Sequence, residues 1–128
     1  MSILVLLIFV CGCSVDKTEE ASVYVFLYNW CEEEHDIEKI KNKLSNVNNV
    51  EGVHLDQIEN LKGKTDALDN LINEYENSKS YSNYVFKVKV FDLDRISETT
   101  DLINNTVQYD KEVNGRSLKC ISNAKWSQ

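Results

Sequence analysis

Residues 22–30, Ser-Val-Tyr-Val-Phe-Leu-Tyr-Asn-Trp, constrain the fold more than any other stretch of this chain. β-branched and aromatic residues occupy both alternating sets of positions, and such side chains suit a pleated strand. A strand apolar on both sides has no face to give to water, so it belongs in the interior of a sheet. The remaining elements have to be arranged around it.

The chain that follows changes period repeatedly. Residues 32–46 read as a helix. Ile37, Ile40, Leu44 and Val47 recur at helical spacing, and Glu32, Glu33, Glu34 and Asp36 crowd the first turn, where the helix dipole favours anions. Asn48-Asn49 marks a turn, and residues 50–55 alternate weakly as a second strand blemished by Gly52. Beyond a break at Lys62-Gly63-Lys64, Thr65 caps a second helix carrying Leu68, Leu71, Ile72 and Tyr75. Residues 84–91 form the second strong strand. Phe86, Val88 and Val90 point one way and Lys87 and Lys89 the other, so one face should meet water. Residues 94–104 make a third helix with only a rough stripe of Ile96, Thr99, Leu102 and Ile103. Residues 107–113 and 116–122 flank Asn114-Gly115, the strongest short-range hairpin signal.

This order predicts a single α+β domain over 22–124: a two-layer α/β sandwich, its sheet mostly antiparallel and its helices on one face. The strand-helix-strand units at 22–55 and 84–113 fit a split pair of ferredoxin-like halves. No proline and only four glycines leave no flexible spacer that would divide the chain. The net charge of −7 argues against nucleic acid and against anionic lipid headgroups. It fits a basic protein partner, or simple solubility.

At the other extreme of polarity, residues 3–10 (Ile-Leu-Val-Leu-Leu-Ile-Phe-Val) are an unbroken apolar run ending at Cys11-Gly12-Cys13-Ser14, after which Asp16, Lys17, Glu19 and Glu20 follow. An apolar core, small residues and a polar continuation are the order of a secretory signal. As a helix, residues 3–12 reach about 15 Å, too short for a hydrocarbon core of about 30 Å. The competing reading is a buried strand of a cytosolic domain. Val10-Cys11-Gly12-Cys13 resembles the lipobox of bacterial lipoproteins. The resemblance implies a signal peptide over 1–12, lipidation of Cys13 and a tether over 13–21. It places the domain at the cell envelope, and Ser14 after the anchor is compatible with an outer membrane, facing the periplasm. Cys31 and Cys120 are then the two cysteines of the folded part, and an even pair in an oxidising compartment reads as one disulfide.

Chemistry-bearing clusters are sparse. Cys31-Glu32-Glu33-Glu34-His35 holds thiol, carboxylates and imidazole within metal-ligating reach. With Ile37, Ile40, Leu44 and residues 50–53 it resembles the heavy-metal-associated ferredoxin-like modules, which carry two loop cysteines where this chain has only Cys31. No metal or cofactor is therefore assigned, and Cys31 and His35 are the weak candidates. His54 and Asp56 share one face of their strand, a geometry that can orient an imidazole, but G-x-S-x-G and H-E-x-x-H are both absent. Asp92-Leu93-Asp94 lacks the other ligands and the glycine of an EF-hand loop. Asn104-Asn105-Thr106 matches a glycosylation sequon. Trp30, Trp126, Tyr81 and Tyr84 are candidates for an aromatic contact surface, with Trp126 in a C-terminal tail.

The expectation is a non-enzymatic, lipid-anchored envelope protein that binds a protein partner, as an immunity or inhibitor protein or in assembly of an envelope machine. The rival reading is a metal- or small-ligand-binding lipoprotein.

Overall fold

The computed structural model describes residues 21–78 and 80–128. The apolar run 3–10, Cys13 and the tether to residue 20 lie outside the described residues. Strand β1 (Ser22–Tyr28) occupies an interior position of the sheet, as its two apolar faces require. It is followed by α1 (Glu34–Ser45), β2 (Val50–Gln57), α2 (Ile58–Leu61), α3 (Asp66–Glu76), β3 (Tyr81–Val90) and, after a 3-10 turn at Leu93–Arg95, α4 (Ile96–Thr106). Strands β4 (Asp110–Val113), β5 (Arg116–Lys119) and β6 (Ile121–Ser127) complete the chain.

The four-stranded sheet has the order β2-β3-β1-β6, and every neighbouring pair is antiparallel. β1-α1-β2 and β3-α4-β6 are thus two strand-helix-strand units interleaved, each with a strand of the other between its own two. The class, the antiparallel sheet and the interleaved halves are as the sequence suggests. The second half, however, closes with β6 rather than with residues 107–113. β4 reads Asp-Lys-Glu-Val and buries no residue fully, so it has no apolar face to lay on the sheet. Among the described residues it pairs only with β5, in a separate hairpin. The hairpin turns at Asn114 and Gly115, both left-handed at φ 54° and 79°, as a tight two-residue connection demands.

The expectation that the helices share one face is corrected. Val23, Val25 and Leu27 of β1 pack with Ile40 and Leu44 of α1 and with Ile96 and Ile103 of α4. Tyr24 and Phe26, on the opposite face, are covered by Ile58 and Leu61 of α2 and by Leu68, Ile72 and Tyr75 of α3. The reason lies in β1 itself: a strand apolar on both sides leaves two faces to bury, so the insertion between β2 and β3 supplies a third layer. That layer leaves part of the face uncovered, since Lys89 of β3 stays exposed there. Thr65 caps α3 as predicted, its Oγ1 accepting from the Leu68 N–H at 3.0 Å.

Three irregularities shape the sheet. Glu51 is an extra residue of β2, lying between the pairs Val50–Val90 and Gly52–Lys89. Ser122 is an extra residue of β6, between Phe26–Asn123 and Leu27–Ile121. On β3, Ser82, Asn83 and Tyr84 stand against Leu27 alone, between Phe26–Val85 and Tyr28–Tyr81. β6 continues past the expected domain limit at 124, and Trp126 lies within it opposite Val23, not in a tail.

Candidate functional site

Where β1 stops, the chain turns at Asn29-Trp30 and reaches Cys31, whose sulfur is bonded to Cys120 across a separation of 89 residues. Both cysteines are fully buried. The bond joins the β1–α1 loop to the link between β5 and β6, as the cysteine count suggested. Backbone bonds reinforce it: the Tyr28 N–H donates to the Cys120 carbonyl and the Cys120 N–H to the Tyr109 carbonyl, each at 2.9 Å. The Trp30 indole stacks on Tyr28 with centroids 4.8 Å apart and donates Nε1–H to the Lys119 carbonyl at 2.8 Å.

Asp36, in the first turn of α1, is only 1 % exposed. Its carboxylate accepts from Tyr109 Oη at 3.1 Å and from Lys111 Nζ at 2.7 Å. The ammonium of Lys111 also donates to the Trp30 carbonyl at 3.1 Å and lies 3.4 Å from Glu33. The bond to Asp36 raises the Lys111 pKa above its ordinary value, against the opposing effect of burial. Burial, and then the same carboxylate, raises that of Tyr109. A buried carboxylate needs a cation and hydrogen-bond donors, and among the described residues these come from the 109–111 segment. The hairpin β4–β5 shares no ladder with the main sheet, so this polar latch and the disulfide fasten it to the body.

The four acids read as one solvated helix start therefore divide. Asp36 is the latch. Glu32 turns back to β3, where its Oε2 accepts from Ser82 Oγ at 2.5 Å and from the Asn83 N–H at 3.2 Å. Glu34 and His35 are exposed, and Glu33 has a side chain 75 % exposed. This acidic rim, beside the half-buried Tyr28–Trp30 stack, faces away from the end at which β1 begins.

Tyr75 of α3 closes the β1–β3 irregularity. Its hydroxyl donates to the Leu27 carbonyl and accepts from the Ser82 N–H at 2.5 Å, satisfying backbone groups the bulge would otherwise orphan. Burial holds its pKa far above the ordinary phenol range. Its ring lies 4.6 Å from that of Phe26 and meets Tyr81 edge-on at 5.7 Å. Tyr84 is half-buried opposite Gln57.

The other sequence candidates are not drawn together. Cys31 is committed to the disulfide and cannot act as a thiolate beside His35, which corrects the weak metal reading of that pair. No group of three or more metal-ligating side chains occurs among the described residues. Asp56 Oδ1 accepts from the Gln57 N–H at 2.8 Å and from Asn60 Nδ2 at 3.2 Å, while His54 is exposed opposite Lys87. Asp92 Oδ1 accepts from the Asp94 N–H at 3.0 Å and starts the turn into α4. The sequon asparagine, Asn104, has its amide on both backbone groups of Ala124, donating to the carbonyl at 2.9 Å and accepting from the N–H at 2.8 Å. A groove of about 300 Å³ runs between Val107, Tyr109 and Asp110 on one side and Lys119 and Ile121 on the other. Among the described residues no helix is long and apolar enough to cross a membrane.

Of this assembly, local sequence marks only the cysteine pair. Asp36 was hidden among acids of the same helical turn, and nothing in the local sequence ties it to Tyr109 and Lys111. Fold and site together define a disulfide-locked α+β domain of interleaved strand-helix-strand halves. Compared with known proteins, the chain matches no family model, no curated protein and no solved structure at a significant level.

Proposed function

We propose that this chain is a non-enzymatic envelope lipoprotein, acylated on Cys13, that works by binding a basic protein partner from the periplasmic side of an outer membrane. The disulfide Cys31–Cys120 carries the reading. Such bonds persist where thiols are not kept reduced, and an exported chain meets that condition. The apolar run 3–10 ending at Cys11-Gly12-Cys13 supports the same destination. For the partner, the support is the net charge of −7 and the outward carboxylates of Glu33 and Glu34 at the latch end. Opposite charge on a partner speeds encounter and fixes orientation more than it adds affinity.

The test has two parts. Intact mass of the protein extracted from host membranes, before and after reduction, should give a chain starting at Cys13 with acyl mass and a gain of two hydrogens, as reducing one disulfide requires. An unmodified chain with free thiols would move the protein to the cytosol. Affinity capture from detergent extract should then recover a basic protein whose association slows with added salt and with E33Q/E34Q. Recovery of no stable partner would sink the binding role.

A further inference from the structure

Among the described residues five large apolar side chains are exposed, and three of them gather at one end of the sheet. Register places them. β1 starts beside Ala21, where Ser22 pairs with Ser127 and Val23 with both Val88 and Trp126. β3 therefore leaves the sheet at the end where β1 enters it, and Val50–Val90 is the last pair there. Phe91 follows at once, its N–H on the Asn49 carbonyl at 3.0 Å, and Leu93 opens the turn into α4. Phe91 is 72 % exposed, Leu93 43 % and Trp126 46 %. The latch, the acidic rim and Trp30 lie at the other end.

We infer that the end bearing Phe91, Leu93 and Trp126 rests in the interface of a zwitterionic phospholipid membrane, fixing the domain with its acidic rim outward. The inference rests on the lipoprotein reading and deepens it. Under that reading, the eight residues from Ser14 to Ala21 reach at most about 29 Å from the acylated Cys13. They enter the fold at this same end, so the tether delivers these side chains to the bilayer. Tryptophan favours the headgroup level, where its apolar body is buried while the indole N–H stays wet, and phenylalanine and leucine bury into the boundary just beneath it. The charges nearby are of both signs: Lys89 and Lys125 are exposed on the flanking strands, and Asp92 and Asp94 lie between the two apolar residues and beside them. That mixture suits a zwitterionic surface better than an anionic one. Three side chains add too little apolar area for stable attachment alone, but under an acyl anchor they need only set the orientation.

The two tryptophans sit at opposite ends and report on the arrangement directly. The full chain, purified from host membranes, is reconstituted in phosphatidylcholine vesicles with brominated acyl chains, and tryptophan emission is measured in the wild type, W30F and W126F. Emission should be strongly quenched in W30F and scarcely at all in W126F, and F91S/L93S in the W30F background should lose most of the quenching. If W30F does not fold, the wild type still reports, since only the share of emission due to Trp126 should be lost. Vesicle flotation and intact mass separate the two layers of argument. A chain that carries acyl mass and floats, but keeps Trp126 unquenched, overturns this inference alone. One without acyl mass that stays in the aqueous phase overturns the anchor and the inference together. Quenching of Trp126 in a chain without acyl mass supports the surface while removing the anchor.

Discussion

Lys111 reaches across 75 positions of sequence to place its ammonium 2.7 Å from the buried carboxylate of Asp36. The two partners are not equivalent. Asp36 is enclosed, whereas the Lys111 side chain is 23 % exposed and has Glu33 within reach. Removing the lysine strands a buried charge, while removing the carboxylate leaves a cation that still meets water and Glu33. K111M should therefore destabilise more than D36N at neutral pH, and D36N/K111M should recover much of the loss. Denaturant midpoints for the three variants check this. Equal costs, or additive ones, would show that the pair does not act as a latch.

Alkaline pH should loosen the fold through groups whose pKa values are raised. Folding lifts the pKa of Tyr75 above the ordinary phenol value through burial, and that of Lys111 above the ordinary ammonium value through Asp36. A folded-state pKa above the unfolded value stabilises fully below the latter and is lost as pH rises through the former. Stability should hold to about pH 10 and fall above it. Y75F should flatten that decline while lowering stability at pH 7 by about 1–3 kcal/mol, since the Leu27 carbonyl and Ser82 N–H lose a buried partner. Unfolding curves at pH 7 and pH 11 would show both effects, and an unchanged alkaline slope in Y75F would contradict the assignment.

C31S/C120S should lower stability by about 4–5 kcal/mol if the chain-entropy account holds for a loop of this length. In that variant the hairpin retains its polar latch and the hydrogen bonds from Trp30 to the Lys119 carbonyl and from Tyr28 to the carbonyl at position 120. Hydrogen exchange at residues 109–119 should rise more than in the centre of β1, which is paired on both sides. Uniform exchange throughout would mean that the disulfide acts on the whole domain and not on the hairpin.

Asn104 protects an edge. Among the described residues β6 has β1 on one side only, and the Asn104 amide occupies the outward backbone groups of Ala124. Open edges pair with other chains. N104A should cost about 1–2 kcal/mol through the loss of two part-buried hydrogen bonds and increase self-association, measurable by light scattering against concentration. N104D, which keeps an acceptor for the Ala124 N–H but repels its carbonyl, should fall between N104A and the wild type in stability. Monodisperse behaviour of N104A at every concentration would remove the protective role.

Local residues decided much of this architecture. The two-sided apolarity of residues 22–28 made β1 an interior strand, the stripe at Ile40 and Leu44 made α1, Thr65 started α3, and Asn114-Gly115 turned the hairpin. Each depends on neighbours within a few positions, where periodicity and turn chemistry act. The parity of the cysteines likewise announced the bond between Cys31 and Cys120. What only the tertiary structure decided is which of several similar groups is used. Asp36 is buried while Glu33 and Glu34 in the same acidic run meet water, Trp126 joins an edge strand, and β6 rather than β4 completes the second half. Those outcomes turn on partners tens of residues away, such as Lys111 for Asp36 and Val23 for Trp126. No local pattern encodes them, because a carboxylate or an indole has the same chemistry wherever it stands until folding supplies its surroundings.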